Sequence, residues 1–362
     1  MRIAVYAPLK HPDHPTPSGD RRVARLLTDA LRMAGHDVDI ASRLRSFDRR
    51  GDMARQARIA RIGARMADRL LRRYRAHGNA PALWLTYHLY YKAPDHLGPR
   101  VARALSIPYV AVEASIANKR ANGPWDIGHR ACIDALRAAD AIVTLNARDD
   151  AALDKYLRPN CRRVALAPFL DPSVYRATRG AASTLRLLAV GMLRHGDKQR
   201  SYEILAAALT KLGARDWRLA IAGDGPARAD IEKLFAPFGD RVTFLGLRDE
   251  AALAQDYANA DIFVWPAVNE AFCMALLEAQ ASGLPAIAGN FGGVGSILAD
   301  GKTGFLTAPG DADDFAAKLA ALLDDPDLRK SMGDAARLKA EREHGLDGAS
   351  ATLDALVRGL AA

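Results

Sequence analysis

The chain alternates short apolar runs with longer stretches in which apolar residues return every three or four positions. In the first half the short runs include Ile3–Tyr6, Leu83–Thr86, Tyr109–Val112, Ala141–Leu145 and Val164–Leu166. Helical periodicity fills intervals such as Gly19–Met33, Pro94–Leu105 and Asp126–Ala138. A segment punctuated by Pro168 and Pro172 breaks the rhythm, and a small, polar stretch, Thr178–Thr184, follows it. The alternation then restarts, with strands expected at Leu185–Val190, Arg218–Ala222, Val242–Leu245, Asp261–Trp265 and Pro285–Ala288. Leu346–Leu360 reads as an extra helix outside that alternation.

Strand–helix alternation at this spacing predicts an α/β chain with parallel sheets covered by helices on both faces. Two Rossmann-like domains are expected: residues 1–170 and 185–345, joined by a linker at 171–184. Residues 346–362 are expected to pack back towards the N-terminal domain. Parallel sheets bind ligands beyond the carboxyl ends of their strands, so the expected site is the cleft between the domains.

Composition narrows the class. The 362 residues are 49% hydrophobic and 26% charged, a globular balance that allows a sizeable core. No run approaches the roughly 18–20 apolar residues that span a bilayer. The start, Met1 to Ala7, lacks the charged head and long apolar middle of a signal peptide, so the chain reads as cytoplasmic. Cys132, Cys161 and Cys273 are far apart and form no CxxC pair, which predicts buried thiols and neither disulfides nor zinc.

A net charge of +9 favours anionic partners. Much of it is concentrated between Arg43 and Arg75, where twelve arginines face three aspartates. Arg58, Arg61, Arg65, Arg69 and Arg72 recur at helical spacing, beside Ile59, Ile62, Met66 and Leu70 on an adjacent face. Such a stripe is either a plain solvated face or a patch for an anionic membrane surface or acceptor. Nucleic acid is not expected, because no aromatics interleave the arginines.

The segment Asn269–Gly293, NEAFCMALLEAQASGLPAIAGNFGG, carries the densest chemistry. A strand should end at Trp265-Pro266, and a helix should open near Phe272 and close at Gly283, with Pro285 just beyond. Backbone amides at Phe272, Cys273 and Met274 would then be the unpaired donors of a helix N-terminus, suited to phosphate or hydroxyl oxygens. Glu270 stands before that helix and Glu278 two turns inside it. Each carboxylate can accept two sugar or ribose hydroxyls. As an isolated pair they would read instead as a capping residue and a solvated one.

The ordered set AVGMLRHGDKQRSYEIL, AIAGDGPARADIEKLF, VTFLGLRDEAAL, the E-x7-E block and DGKTGFLTAPGD resembles the retaining glycosyltransferases of family 4, the glycosyl transferases group 1, which share the GT-B fold. The resemblance extends over nearly the whole chain and is strongest from Leu187 to Leu323. It implies a nucleotide-diphosphate sugar as donor, a saccharide or lipid-linked acceptor, no metal or other cofactor, and a place in glycan or glycolipid assembly. By the same resemblance Glu270 contacts the donor sugar, Glu278 the ribose, and Lys198, after Gly191, the diphosphate. The family has an arginine directly after that first glycine. Here Met192 stands in its place, and Arg194 is the nearest substitute. Leu247 and Arg248 match the segment that meets the base.

In the N-terminal half, Pro17-Ser18-Gly19-Asp20 resembles the family's glycine loop, with Gly19 allowing close approach to the diphosphate. Glu113 falls where relatives carry His or Asp near the reacting sugar, with a structural role as the alternative. His88, in TYHLYYK, is a weaker candidate for the acceptor side. A nucleotide-binding dehydrogenase is disfavoured because Pro8-Leu9-Lys10-His11 follows the first strand in place of GxGxxG. A nucleotide-sugar epimerase on the same fold, or an inactive binder of membranes or polyanions, remain the alternatives.

Overall fold

The computed structural model describes residues 1–16, 18–145, 150–178, 180, 184–270 and 272–361. It comprises two compact units, one formed by Met1–Ala167 with Leu346–Ala362, the other by Pro168–Gly345. Part of the expected linker, residues 179 and 181–183, lies outside the described residues, as does Pro17 of the N-terminal loop.

The first unit is built from β1 (Arg2–Tyr6), α1 (Gly19–Met33), β2 (Asp37–Ser42), α2 (Met53–His77), β3 (Leu83–Leu89), α3 (Gly98–Leu105), β4 (Tyr109–Ala114), α4 (Asp126–Ala138), β5 (Ala141–Thr144), α5 (Asp150–Leu153) and β6 (Arg162–Ala165). Its six strands are parallel, in the order β2-β1-β3-β4-β5-β6. Order therefore reverses at β1 and β3, whose loops leave in opposite directions across the sheet. Core residues such as Ile3, Leu85, Val110 and Val143 are fully or almost fully buried on the central strands.

α1 begins where the sequence places it because the Ser18 side chain accepts the Arg21 amide, and Asp20 adds a negative charge in the first turn. α3 starts four residues later than expected. Asp95 withdraws from the helix and uses one carboxylate oxygen to accept the Leu97 and Gly98 amides, each at 2.8 Å. Its other oxygen accepts the Thr86 and Tyr109 hydroxyls at 2.5 and 3.1 Å, which ties the helix start to two strands.

The second unit contains β7 (Leu185–Val190), α6 (Asp197–Thr210), β8 (Trp217–Ala222), α7 (Arg228–Phe235), β9 (Val242–Gly246), α8 (Glu250–Asn259), β10 (Ile262–Trp265), α9 (Met274–Ala281), β11 (Ala286–Gly289), α10 (Val294–Ile297), β12 (Gly304–Thr307), α11 (Ala312–Asp324) and α12 (Pro326–Glu343). Its parallel order, β12-β11-β10-β7-β8-β9, is the doubly wound arrangement, with the reversal between β7 and β10. The expected linker stretch from Asp171 falls, where described, inside this unit.

β2 and β12 are strands that the hydrophobic pattern did not supply. Both are edge strands, and β2 reads Asp-Val-Asp-Ile-Ala-Ser with little burial at its start. β12 opens on Gly304, where a Cβ would stand 2.1 Å from the Ala286 carbonyl oxygen, so only glycine permits that pairing. The closing helix α13 (Leu346–Ala361) packs in the first unit against α1, with the Ser350 hydroxyl donating to the Ala30 carbonyl at 2.8 Å. Among the described residues no helix is long and apolar enough to cross a membrane.

Candidate functional site

In the second unit the site grows from the two strands that flank the reversal. β7 ends at Val190 and leads through Gly191 into α6, which carries Lys198 in its first turn. β10 ends at Trp265 and leads to Glu270. The two loops bring Lys198 and Glu270 together as an ion pair, Nζ to Oε1. Their side chains keep 26% and 13% exposure, so the pair is mostly shielded yet reachable.

Glu270 is held from a second side: the Trp265 indole N–H donates to the same Oε1 at 3.1 Å. Lys198 Nζ lies 5.0 Å from the centre of that indole ring. Trp265 is thus a residue the sequence reading missed, a buried ring that orients both charged groups. Its signal was its place at the end of a buried strand, five residues before Glu270.

Gly191 is required by packing. A Cβ there would stand 2.8 Å from Trp265 and 3.1 Å from the Tyr202 hydroxyl, which donates to the Gly191 carbonyl at 3.0 Å. The β10 loop bends sharply, with Ala267 and Asn269 in left-handed backbone at φ 53° and 55°. Asn269 is anchored by donating its side-chain N–H to Asp197 at 2.7 Å, and the Val268 amide donates to Ser201 at 3.1 Å.

The helix after Glu270 opens later than the sequence suggested. Cys273 has extended backbone and is the N-cap residue; its carbonyl accepts the Leu276 and Leu277 amides at 3.0 and 3.2 Å. The leading helical amides are therefore those of Met274 and Ala275, and Phe272 precedes the helix. Burial, with Glu270 next in weight, pushes the Cys273 thiol up to about 12, so it is a neutral packing group.

Glu278 is buried at 4% exposure and accepts the Tyr257 hydroxyl at 2.9 Å; the same hydroxyl reaches the Ala275 carbonyl at 3.0 Å. Burial, reinforced by the Glu278 charge, raises the Tyr257 pKa well above its usual value. The idea of a solvated Glu278 is excluded by this packing. Arg248 is engaged by Asp256 in a two-pronged pair of 2.7 and 2.9 Å, whereas Leu247 beside it is 65% exposed. Arg194 is exposed, in the loop before α6.

The first unit repeats the pattern at its own reversal. Asp20, in the first turn of α1, forms an ion pair of 3.0 Å with His88 Nδ1 at the end of β3. Burial alone would raise the Asp20 carboxyl, but the hydrogen bond and charge of His88, with Lys10, hold it below the ordinary carboxylate value. Gly19, directly before Asp20, has open space where a Cβ would be. Glu113 lies opposite His88 on β4, and Tyr87 is buried against it: burial and the nearby Glu113 and Asp20 charges raise the Tyr87 pKa strongly. Asp20 is the second residue the sequence reading left without a role. On α2, Arg58, Arg61, Arg65, Arg69 and Arg72 are all exposed, while Ile59 and Leu70 are buried.

Comparison with known proteins agrees with this arrangement. The family model described as "Glycosyl transferases group 1" matches residues 184–339. A sulfoquinovosyl transferase from Arabidopsis thaliana is 41% identical over 147 residues, 40% of this chain and 28% of its own length. The chain spans less than half the length of other curated relatives that it matches. Among solved structures, a sucrose-phosphate synthase from Thermosynechococcus elongatus superposes with a TM-score of 0.77 at 20% identity, covering 99% of this chain and 98% of the other. Anabaena HepE in complex with UDP-glucose superposes with a TM-score of 0.73 at 15% identity, covering 99% of this chain and 100% of that one. Both likenesses establish the GT-B fold.

Proposed function

We propose that the protein is a retaining, metal-independent glycosyltransferase, a reading that proceeds from the match of residues 184–339 to the family model of glycosyl transferases group 1. It moves a sugar from a nucleotide-diphosphate sugar to an acceptor hydroxyl in glycan, lipopolysaccharide or glycolipid assembly. The observation that carries the reading is the Lys198–Glu270 pair at the reversal between β7 and β10, the place where doubly wound sheets hold nucleotides.

In this reading the donor diphosphate takes Lys198 as its counter-charge, and Glu270 turns to the sugar hydroxyls. The acceptor oxygen attacks the anomeric carbon and the bond from that carbon to the diphosphate oxygen breaks. The acceptor proton passes to the departing nucleoside diphosphate. Lys198 stabilises the charge that grows on the leaving group, the role for which a preorganised cation is most effective. Glu278, fixed by Tyr257, is the ribose contact, and the Met274 and Ala275 amides offer donors near the diphosphate. Arg194 supplies the second phosphate contact in place of the arginine that Met192 replaces. The Asp20–His88 pair and Glu113 orient the acceptor and receive its hydroxyl. The exposed arginines of α2 suit an anionic membrane surface bearing a lipid-linked acceptor.

A thermal-shift panel of UDP, GDP and ADP with their sugar conjugates, in EDTA, tests the reading. UDP and UDP-glucose come first, since HepE was solved with both. A ligand at about 100 times its dissociation constant adds roughly 2.7 kcal/mol of stability. The expected result is a shift with one nucleotide family that is lost in Glu278→Ala and Lys198→Ala. No shift with any nucleotide would leave an inactive binding protein as the better reading.

A further inference from the structure

Beyond β3 in the first unit the chain makes a tight turn, closed by an antiparallel bridge between Tyr90 and Ala93, that carries Tyr91 and Lys92 at its tip. Trp125, at the start of α4, meets Tyr91 edge-on with ring centres 5.8 Å apart. Two cations share these two rings. Lys92 Nζ lies 5.7 Å from Tyr91 and 5.6 Å from Trp125, and the Arg120 guanidinium carbon lies 5.4 and 4.7 Å from the same rings.

The cluster is built to stay in place. A Cβ on Gly128 would stand 2.1 Å from the Tyr91 carbonyl oxygen, so α4 approaches the turn as only glycine allows. Gln56 accepts the Gly128 amide at 3.2 Å and donates to Asp48 and to the Pro124 carbonyl, both at 2.8 Å. The Trp125 indole N–H donates to the Asp48 carbonyl at 3.3 Å. All four members of the cluster are half-buried, so the cluster keeps some surface open to solvent.

Among the described residues neither Lys92 nor Arg120 forms an ion pair, and Arg120 Nε is buried without a hydrogen-bond partner. Two like charges held against the same rings repel, and an anion between them removes that repulsion. The cluster is also continuous with the Asp20–His88 pair: the His88 and Tyr90 rings are 4.8 Å apart, and Tyr90 and Tyr91 are 5.8 Å apart.

We infer that this cluster is an acceptor subsite for a saccharide bearing an acidic group, carboxylate or phosphate. The sugar ring lies on Tyr91 and Trp125, and the acidic group is held by Arg120 and Lys92. The inference rests on the reading of this sheet edge as the acceptor side, and it names the class of acceptor that the edge selects.

Titration calorimetry of the full chain with glucose 6-phosphate, glucuronate, glucose and inorganic phosphate tests it. Both acidic sugars should bind at least about tenfold more tightly than glucose or phosphate, the gain of a charge-assisted contact added to ring stacking. Arg120→Gln with Lys92→Gln should bring them to the level of glucose, and Arg120→Lys should retain part of the preference. Preference for one acidic sugar alone identifies which group is read. Equal binding of acidic and neutral sugars, equal binding of phosphate alone, or no effect of the double substitution would overturn the inference. UDP thermal shifts on the same proteins separate the two claims. A UDP shift without acidic-sugar preference defeats the subsite alone, whereas preference without any UDP shift keeps the subsite and defeats the transferase reading.

Discussion

His88 and Glu113 face one another across β3 and β4, and both hold left-handed backbone, at φ 61° and 53°. The register passes from Tyr87↔Val112 to Leu89↔Ala114, so the two residues form a matched irregularity at the carboxyl ends of adjacent strands. Left-handed backbone costs a side-chain-bearing residue about 1–2 kcal/mol, and such strain gathers at functional sites. Glu113→Gly and Glu113→Ala both remove the carboxylate, but only glycine relieves the strain. The glycine variant should therefore be more stable than the alanine variant by about 1 kcal/mol in urea unfolding, with transfer lowered in both. Equal stabilities would show that the backbone here is not strained.

Lys198 has its sharpest test in turnover. Lys198→Met keeps the packing on Trp265 and deletes the charge, so kcat should fall by about 10²–10³-fold while the fold is kept. Trp265→Phe removes the indole donor to Glu270 and should give a smaller loss. A Lys198→Met enzyme with wild-type kcat would place the leaving-group cation elsewhere, with Arg194 as the next residue to change.

Tyr257 and Glu278 are coupled through a buried hydrogen bond of 2.9 Å. Tyr257→Phe leaves a buried carboxylate with one donor fewer, which costs about 1–3 kcal/mol of stability. Nucleotide binding should weaken in the same variant, because Glu278 is no longer oriented. Unchanged nucleotide affinity with lowered stability would assign the pair to the core and not to the donor.

The parallel sheets were legible because most of the strands are short apolar runs separated by helical periods, although β6 begins on Arg162 and Arg163, ahead of the expected Val164. β2 was hidden because acidic residues interrupt it and its start is little buried, and β12 because Gly304 pairs through backbone proximity that hydropathy does not register. Lys198, Glu270 and Glu278 stood out through a spaced motif. Their partners did not: Trp265 and Tyr257 look like ordinary core aromatics until their N–H and O–H groups are seen to point at carboxylates. Asp20 reads as a helix-start acid, a role it also fills, and its pairing with His88 depends on which strands the sheet sets side by side.

His344 sets a pH dependence. Burial holds its pKa below the ordinary 6.5, and its ring Nδ1 lies 2.7 Å from the Pro168 carbonyl, which the neutral ring can meet as donor. The folded chain thus favours the neutral ring, whereas the unfolded chain binds a proton near the ordinary value. Stability from this residue is complete above about pH 6.5 and is lost as pH falls towards the lowered folded value. Urea unfolding at pH 7.5, 6.5 and 5.5 should show a shallower decline for His344→Asn than for wild type. Equal declines would exclude His344 as a source of acid sensitivity.

The arginine stripe of α2 makes a prediction about the kind of membrane contact as well as its existence. Ile59 and Leu70 are buried in the first unit and Met66 packs against its core, so little apolar surface beside the stripe is left to insert and attachment should be electrostatic. Each arginine near an anionic surface contributes about 1 kcal/mol, an attraction that salt screens within a Debye length. The protein should therefore sediment with phosphatidylglycerol vesicles at low salt, stay free of phosphatidylcholine vesicles, and release when salt is raised to about 0.5 M. Changing Arg58, Arg61, Arg65, Arg69 and Arg72 to Gln should abolish binding without altering nucleotide thermal shifts. Binding that survives high salt would demand an apolar anchor elsewhere, and binding that survives the five substitutions would remove α2 from the membrane contact.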